Sequence, residues 1–118
     1  MDRLNNGDYV VHYKFFNNTE EEIKDKKYIY RIIETEAYTA EDDPKRCVIY
    51  KALYSPYKTW IRPYDEFMSK IHIKDSIIKY RFSRIGIMDG EPVIFIVDEL
   101  KKLYYPKLIP ADLDIFNL

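Results

Sequence analysis

Arg46-Cys47-Val48-Ile49-Tyr50-Lys51-Ala52-Leu53-Tyr54 runs into Ser55-Pro56-Tyr57 and then Thr59-Trp60-Ile61-Arg62-Pro63. The first nine residues alternate, with Val48, Tyr50, Ala52 and Tyr54 against Cys47, Ile49, Lys51 and Leu53. A period of two puts alternate side chains on opposite faces of a strand, and β-branched and aromatic residues suit that surface. Ser55-Pro56-Tyr57 turns the chain, and Thr59 to Arg62 forms a short second strand. Pro63 holds Arg62 extended and suits the first position of a helical turn. Asp65 and Glu66 complement the positive end of that turn, and Phe67 and Met68 anchor it. Strand, tight turn, strand and one helical turn describe an antiparallel, mostly β architecture.

The same texture extends in both directions. Gly7-Asp8 opens a strand over Tyr9–Lys14, with Tyr9, Val11 and Tyr13 facing away from Val10, His12 and Lys14. Asn17-Asn18 and the acids Glu20, Glu21 and Glu22 read as a solvated loop with a short helical turn capped by Asn18 or Thr19. Lys27–Tyr38 is a long Tyr- and Ile-rich strand, ended by the turn Glu41-Asp42-Asp43-Pro44. Downstream, Ile71 and Ile73, the turn Asp75-Ser76, then Ile78, Tyr80 and Phe82 form a hairpin. Gly86 and Asp89-Gly90 break the chain, Val93–Val97 reads as a strand and Asp98–Tyr105 as a short helix. Pro106 and Pro110 precede a tail with apolar Leu113, Ile115, Phe116 and Leu118. The expected organisation is a small β-barrel domain over residues 1–85, with a C-terminal strand/helix extension over 86–118 packed on it.

With 118 residues there is room for one core. Charged residues at 33% against 47% hydrophobic exclude a disordered or collagen-like chain. One cysteine, Cys47, excludes a disulfide scaffold and a multi-cysteine zinc site. The longest apolar run, Val93–Val97, is far shorter than the roughly 20 residues of a spanning helix, and Met1–Asn6 lacks the apolar stretch of a signal peptide. A cytoplasmic location is therefore expected, with no membrane partner. The unusual feature is aromatic content, 12 Tyr, 6 Phe and 1 Trp. Most of these rings must be scaffold, but some remain for a binding surface.

Charge is unevenly placed. Residues 1–44 carry 6 basic and 11 acidic side chains, residues 45–85 carry 10 and 3, and residues 86–118 carry 3 and 6. The middle segment is a basic block between acidic ones. It can be neutralised within the molecule, or it can form a basic, aromatic-laced groove for an anion or a nucleic-acid strand.

Four stretches resemble the family of small bacterial proteins called domain of unknown function 1653. They are Gly7-Asp8-Tyr9 running into His12-Tyr13-Lys14, then Val48–Tyr54, then Trp60-Ile61-Arg62-Pro63 with Phe67, and last Tyr80-Arg81-Phe82. The resemblance covers about residues 7–85 and implies an SH3-like β-barrel. It implies no activity, because the family has none established. This chain departs from the pattern in its longer acidic loop before Lys27, in Asp75-Ser76 where a hairpin Asp-Gly is usual, and in residues 86–118. Separately, Arg31–Tyr38 with Glu34 and Glu36 is similar to the segment of alkyladenine DNA glycosylases that holds the catalytic glutamate. Those enzymes need a much larger fold, and their following His-rich and Gly-rich segments are absent here.

The candidate ligand-binding residues are His12, Tyr13, Tyr50, Tyr54, Trp60 and Arg62. Trp60, Arg62 and Tyr54 join two strand ends around the turn. Tryptophan holds a planar or cationic group, while the guanidinium grips a carboxylate or phosphate. The competing arrangement buries Trp60 in the core and pairs Arg62 with Asp65 or Glu66. His12 and His72 lack a cysteine or carboxylate cluster at metal-ligand spacing, so no metal and no cofactor are expected. No nucleophile–base pair or Gly-rich phosphate loop is present. A non-catalytic binding module is therefore expected, its partner a peptide, a small anion or single-stranded nucleic acid. The alternative is a small enzyme acting on nucleotides or nucleic acid through His12 or Glu34 and Glu36. The apolar tail adds docking on the barrel or homodimerisation as an expectation.

Overall fold

The structure, a computed structural model, describes residues 4–73, 77–88, 91–95 and 102–104. The expected turn at Asp75-Ser76, the break at Asp89-Gly90 and the apolar tail from Leu113 to Leu118 lie outside the described residues, as does the side chain of His72.

The fold is mostly β. Strands β1 (Tyr9–His12), β2 (Ile29–Tyr38), β3 (Arg46–Ala52), β4 (Thr59–Pro63), β7 (Phe82–Met88), β8 (Glu91–Phe95) and β9 (Lys102–Tyr104) form one antiparallel sheet. Its order is β4-β3-β2-β1-β7-β8-β9. Strands β5 (Lys70–Ile73) and β6 (Ile77–Tyr80) pair as a separate hairpin. Helix α1 (Glu20–Lys24) precedes β2, and α2 (Tyr64–Phe67) follows β4.

β1 sits between β2 and β7, and this explains its Val10-Val11 pair. Both valines are fully buried, on opposite faces of the strand, because both faces of the sheet are covered there. On one face Val10 packs with Tyr30, Ile32, Val48, Tyr50 and Phe82. On the other, Val11 packs with Phe15, Ile23, Ile29 and Ile85. α1 supplies Ile23, and Thr19 fixes its start with a complete capping box to Glu22. α2 supplies Phe67, stacked on Phe82 at 4.0 Å and 5°.

The first face is concave. Tyr50 on β3 and Phe82 on β7 are separated by β2 and β1, which on a flat sheet means about 14 Å. Their ring centroids are 5.4 Å apart. The sheet therefore curls, as a barrel wall does, and a bulge between Ile32 and Glu34 of β2 adds bend. It does not close: among the described residues its outer strands, β4 and β9, do not pair with each other.

Three expectations are corrected. The strand from Tyr9 stops at His12, and Tyr13–Asn17 forms a 3₁₀ turn. Gly86 does not break the chain, since it pairs with Val93 inside β7–β8. The helix expected over Asp98–Tyr105 is not formed at Lys102–Tyr104, which is strand. There Leu103 pairs with Ile94, because the open edge of β8 presents N–H and C=O groups for a following segment to bond.

Candidate functional site

The concave face collects its functional groups from strand ends. β1 terminates because the His12 ring turns back on its own backbone, and Nδ1 accepts the Lys14 N–H at 3.2 Å. That bond starts the 3₁₀ turn and leaves the proton of the neutral imidazole on Nε2. Tyr13 N–H donates to the Arg81 carbonyl at 2.9 Å, tying the turn to the residue before β7. The His12 ring stands edge-on to Phe82 at 5.2 Å and tilted against Tyr28 at 5.8 Å. Burial, then the positive charges of Lys14, Arg62 and Arg81, lower its pKa to about 4. His12 is neutral at neutral pH.

Arg62 and Trp60 reach the same face from the edge strand β4. Trp60 lies opposite Tyr50 and Arg62 opposite Val48 in the β3–β4 register, and positions two apart share a face. Arg62 Nε donates to the Tyr50 hydroxyl at 3.1 Å, and Nη1 donates to Glu66 Oε1 at 2.6 Å. Burial opposes the guanidinium charge, but the Tyr50 hydroxyl and Glu66 outweigh it and hold the pKa above the usual arginine value. No described residue takes Nη2. Trp60 is 45% exposed, which excludes a core role, with Lys58 Nζ 5.6 Å from its ring centroid. The competing arrangement is thus half realised: Arg62 pairs with Glu66, while Trp60 stays in the open.

Four of the six candidates, His12, Tyr50, Trp60 and Arg62, line one cleft of about 180 Å³ together with Lys14, Tyr28, Tyr30 and Phe82. Tyr13 is not on its wall and packs instead against the back of His12 at 4.3 Å. Tyr54 lies just beyond, its hydroxyl 2.7 Å from that of Tyr30. Burial and this bond raise the Tyr30 pKa, so its hydroxyl stays protonated. Tyr54 lines a neighbouring cavity of about 540 Å³, between the Lys24–Lys27 turn and the turn from Leu53 to Tyr57.

Lys14, Tyr28, Tyr30 and Phe82 are wall residues that pattern reading did not single out. Lys14 was visible as a same-face neighbour of Val10 and His12, whereas Tyr30 comes to the cleft through its pairing with Val10 across β1 and β2, which alternation does not reveal. Phe82 was hidden because the hairpin pattern absorbed it, whereas it opens β7 opposite His12.

Glu34 and Glu36 are elsewhere. Glu34 Oε2 accepts the Glu36 N–H and the Asn6 amide, both at 3.1 Å. The first of these, then the second, lowers its pKa. Glu34 thus braces the β2 bulge, and neither acid lines the cleft. Cys47 is buried and free, donating from Sγ to the Lys45 carbonyl at 3.6 Å. Among the described residues no group of three or more His, Cys, Asp or Glu is placed to hold a metal ion, and no helix is long and apolar enough to cross a membrane.

The stretch from β1 to the start of β7 that builds this face is also the stretch that one family describes. Residues 7–84 match the family described as Protein of unknown function (DUF1653). The chain belongs to the DUF1653 family. No curated protein and no solved structure matches it. Every wall residue of the cleft, from His12 to Phe82, falls inside the DUF1653 match. The cleft is therefore built from the family's own segment and not from the residues that follow it.

Proposed function

We propose that this DUF1653 protein is a non-catalytic binding module whose cleft holds a planar ring carrying a phosphate or carboxylate. The observation that carries the reading is the half-exposed Trp60 sharing a cleft with Arg62. Arg62 is held in place by Tyr50 and Glu66 and keeps Nη2 for a ligand oxygen. Trp60 supplies a face for the ring, and Lys14, another wall residue, adds charge. At about 180 Å³ the cleft is below the usual range for drug-sized ligands, so it takes one ring system.

Chemistry at His12 is the second reading, and its geometry argues against a general base. Nδ1 is already bonded to Lys14 N–H, so only the protonated Nε2 can meet a ligand, and it donates. On the binding-module reading the curled sheet is the wall of an SH3-like barrel, and the module works in the bacterial cytoplasm, where a single buried thiol persists.

Trp60 is the only tryptophan, so its emission reports the site. Titration with a nucleoside monophosphate is expected to quench it saturably. Ribose 5-phosphate, which lacks the ring, and the free nucleoside, which lacks the anion, are expected to bind at least tenfold more weakly. Equal responses to all three, or none, would overturn the reading.

A further inference from the structure

The cavity beside the cleft repeats the cleft's chemistry. Its walls bring Lys24, Lys26 and Lys27 against Tyr54 and Tyr57, with Asp25 as the single acid. Tyr57 is 57% exposed. Lys27 is held by Glu22 at 2.9 Å, while Lys24 stands exposed at the end of α1. Each compartment thus carries an exposed aromatic ring and a cation among its walls: Trp60 and Arg62 in one, Tyr57 and Lys24 in the other. A single ring-to-ring step separates them. Tyr54 of the cavity lies 6.0 Å from Tyr28 and 5.7 Å from Tyr30, which both line the cleft.

The backbone here is also under strain. Lys26, Tyr28 and Tyr57 have φ values of 61°, 67° and 60°, and they are the non-glycine residues with positive φ among those described. Two line the cavity and one lines the cleft. Such conformations are costly for residues with a Cβ and cluster at ligand-holding sites.

Two adjoining compartments of the same make-up fit a ligand that repeats ring plus negative charge along its length. We infer that the cavity between the Lys24–Lys27 turn and Tyr57 is a second subsite, and that the ligand is single-stranded nucleic acid laid across Trp60 and Tyr57. An acidic peptide carries the charges without a ring at each unit and leaves Tyr57 unused. The inference rests on the cleft reading above, because the first nucleotide occupies that cleft.

The test compares thymidine 5′-monophosphate with an oligothymidylate of about 8 nucleotides, within the usual site size of a single-strand binder. Both are read by Trp60 emission. The oligomer is expected to bind at least tenfold more tightly and to weaken with salt, since phosphate contacts release counterions. Lys24→Gln should make the log–log salt slope shallower by about 0.7. Tyr57→Gly suits the positive φ and removes one stacking ring, which should cost the oligomer roughly 5- to 150-fold in affinity. Melting temperature is followed for both variants, and Lys24→Gln, a surface change on α1, keeps the test open should Tyr57→Gly unfold. Equal affinity for monomer and oligomer, with neither variant affecting the oligomer, overturns the second subsite and leaves the cleft standing. Polyglutamate competing as well as the oligomer overturns nucleic acid as the class. No response to either nucleotide ligand overturns the cleft reading and this inference together.

Discussion

At the scale of single residues the concave face separates scaffold from site by burial. Phe67 is 1% exposed and stacked on Phe82, so Phe67→Ala should cost about 3–5 kcal/mol. Trp60 is 45% exposed, so Trp60→Ala should cost well under half of that in urea unfolding while abolishing nucleotide binding, which calorimetry reads because the variant has no tryptophan. Native emission that is red-shifted and open to acrylamide would agree, and blue-shifted, protected emission would return Trp60 to the core. Arg62→Lys keeps the charge but loses the fork that joins Tyr50 to Glu66. It should lower stability by about 1 kcal/mol and ligand affinity at least tenfold. His12 carries a pH signature. Its pKa falls from 6.5 unfolded to about 4 folded, so the unfolded chain binds the proton more readily. Stability is then full above about pH 6.5 and is lost as pH falls toward 4. His12→Asn, which keeps a capping oxygen without titrating, should flatten the fall in melting temperature over that window. An unchanged profile would mean that His12 is not held neutral. Residue types were legible here, because a lone tryptophan beside an arginine in a β pattern stands out. The ring of His12 turning onto Lys14 N–H was not, since a strand pattern says nothing about where a side chain ends the strand.

Elements differ in how much of their cause is local. Thr19-Glu20-Glu21-Glu22 contains its own helix start, a threonine and a glutamate three residues apart that satisfy each other's backbone N–H groups. The turn was legible from Asn17 to Glu22, with its cap open between Asn18 and Thr19, and the structure gives the cap to Thr19. Thr19→Ala should cost about 1 kcal/mol, and because α1 carries Lys24 to the lysine cavity, it should also weaken oligonucleotide binding by severalfold. Full oligonucleotide affinity in a destabilised Thr19→Ala protein would show that α1 does not set the cavity. β3 and β4 were equally legible from period-two alternation and Ser55-Pro56. Lys102–Tyr104 was not. Three residues carry no period, and what makes them strand is the ladder of Val93–Phe95 beside them, a partner that composition at 98–105 cannot reveal.

The whole molecule depends on curvature and on where the sheet ends, and both are non-local. Alternation showed a β protein with several short strands, but not that Tyr50 and Phe82 would meet across two intervening strands, nor that the outer strands stay apart. The expected boundary after Ile85 followed from Gly86 and a change of texture. In the structure β7 runs from Phe82 to Met88 across that point, with Arg84 and Ile85 pairing to β1 on one side and β8 on the other. Residues 82–85 thus cover the central strand, while β8 covers them. Cutting the chain after Gly86 would leave β7 as a bare edge, its outward N–H and C=O groups free to pair with another molecule. Loss of β8 also removes Ile94 from beside Ile85 in the register. The truncated protein is therefore expected to melt several degrees lower, since about 1 kcal/mol shifts a domain of this size by roughly 4–8 °C. It is also expected to sediment as concentration-dependent oligomers. Unchanged melting temperature, solubility and sedimentation after the cut would show that the sheet is complete without β8, and that residues 86–118 are an appendage to it.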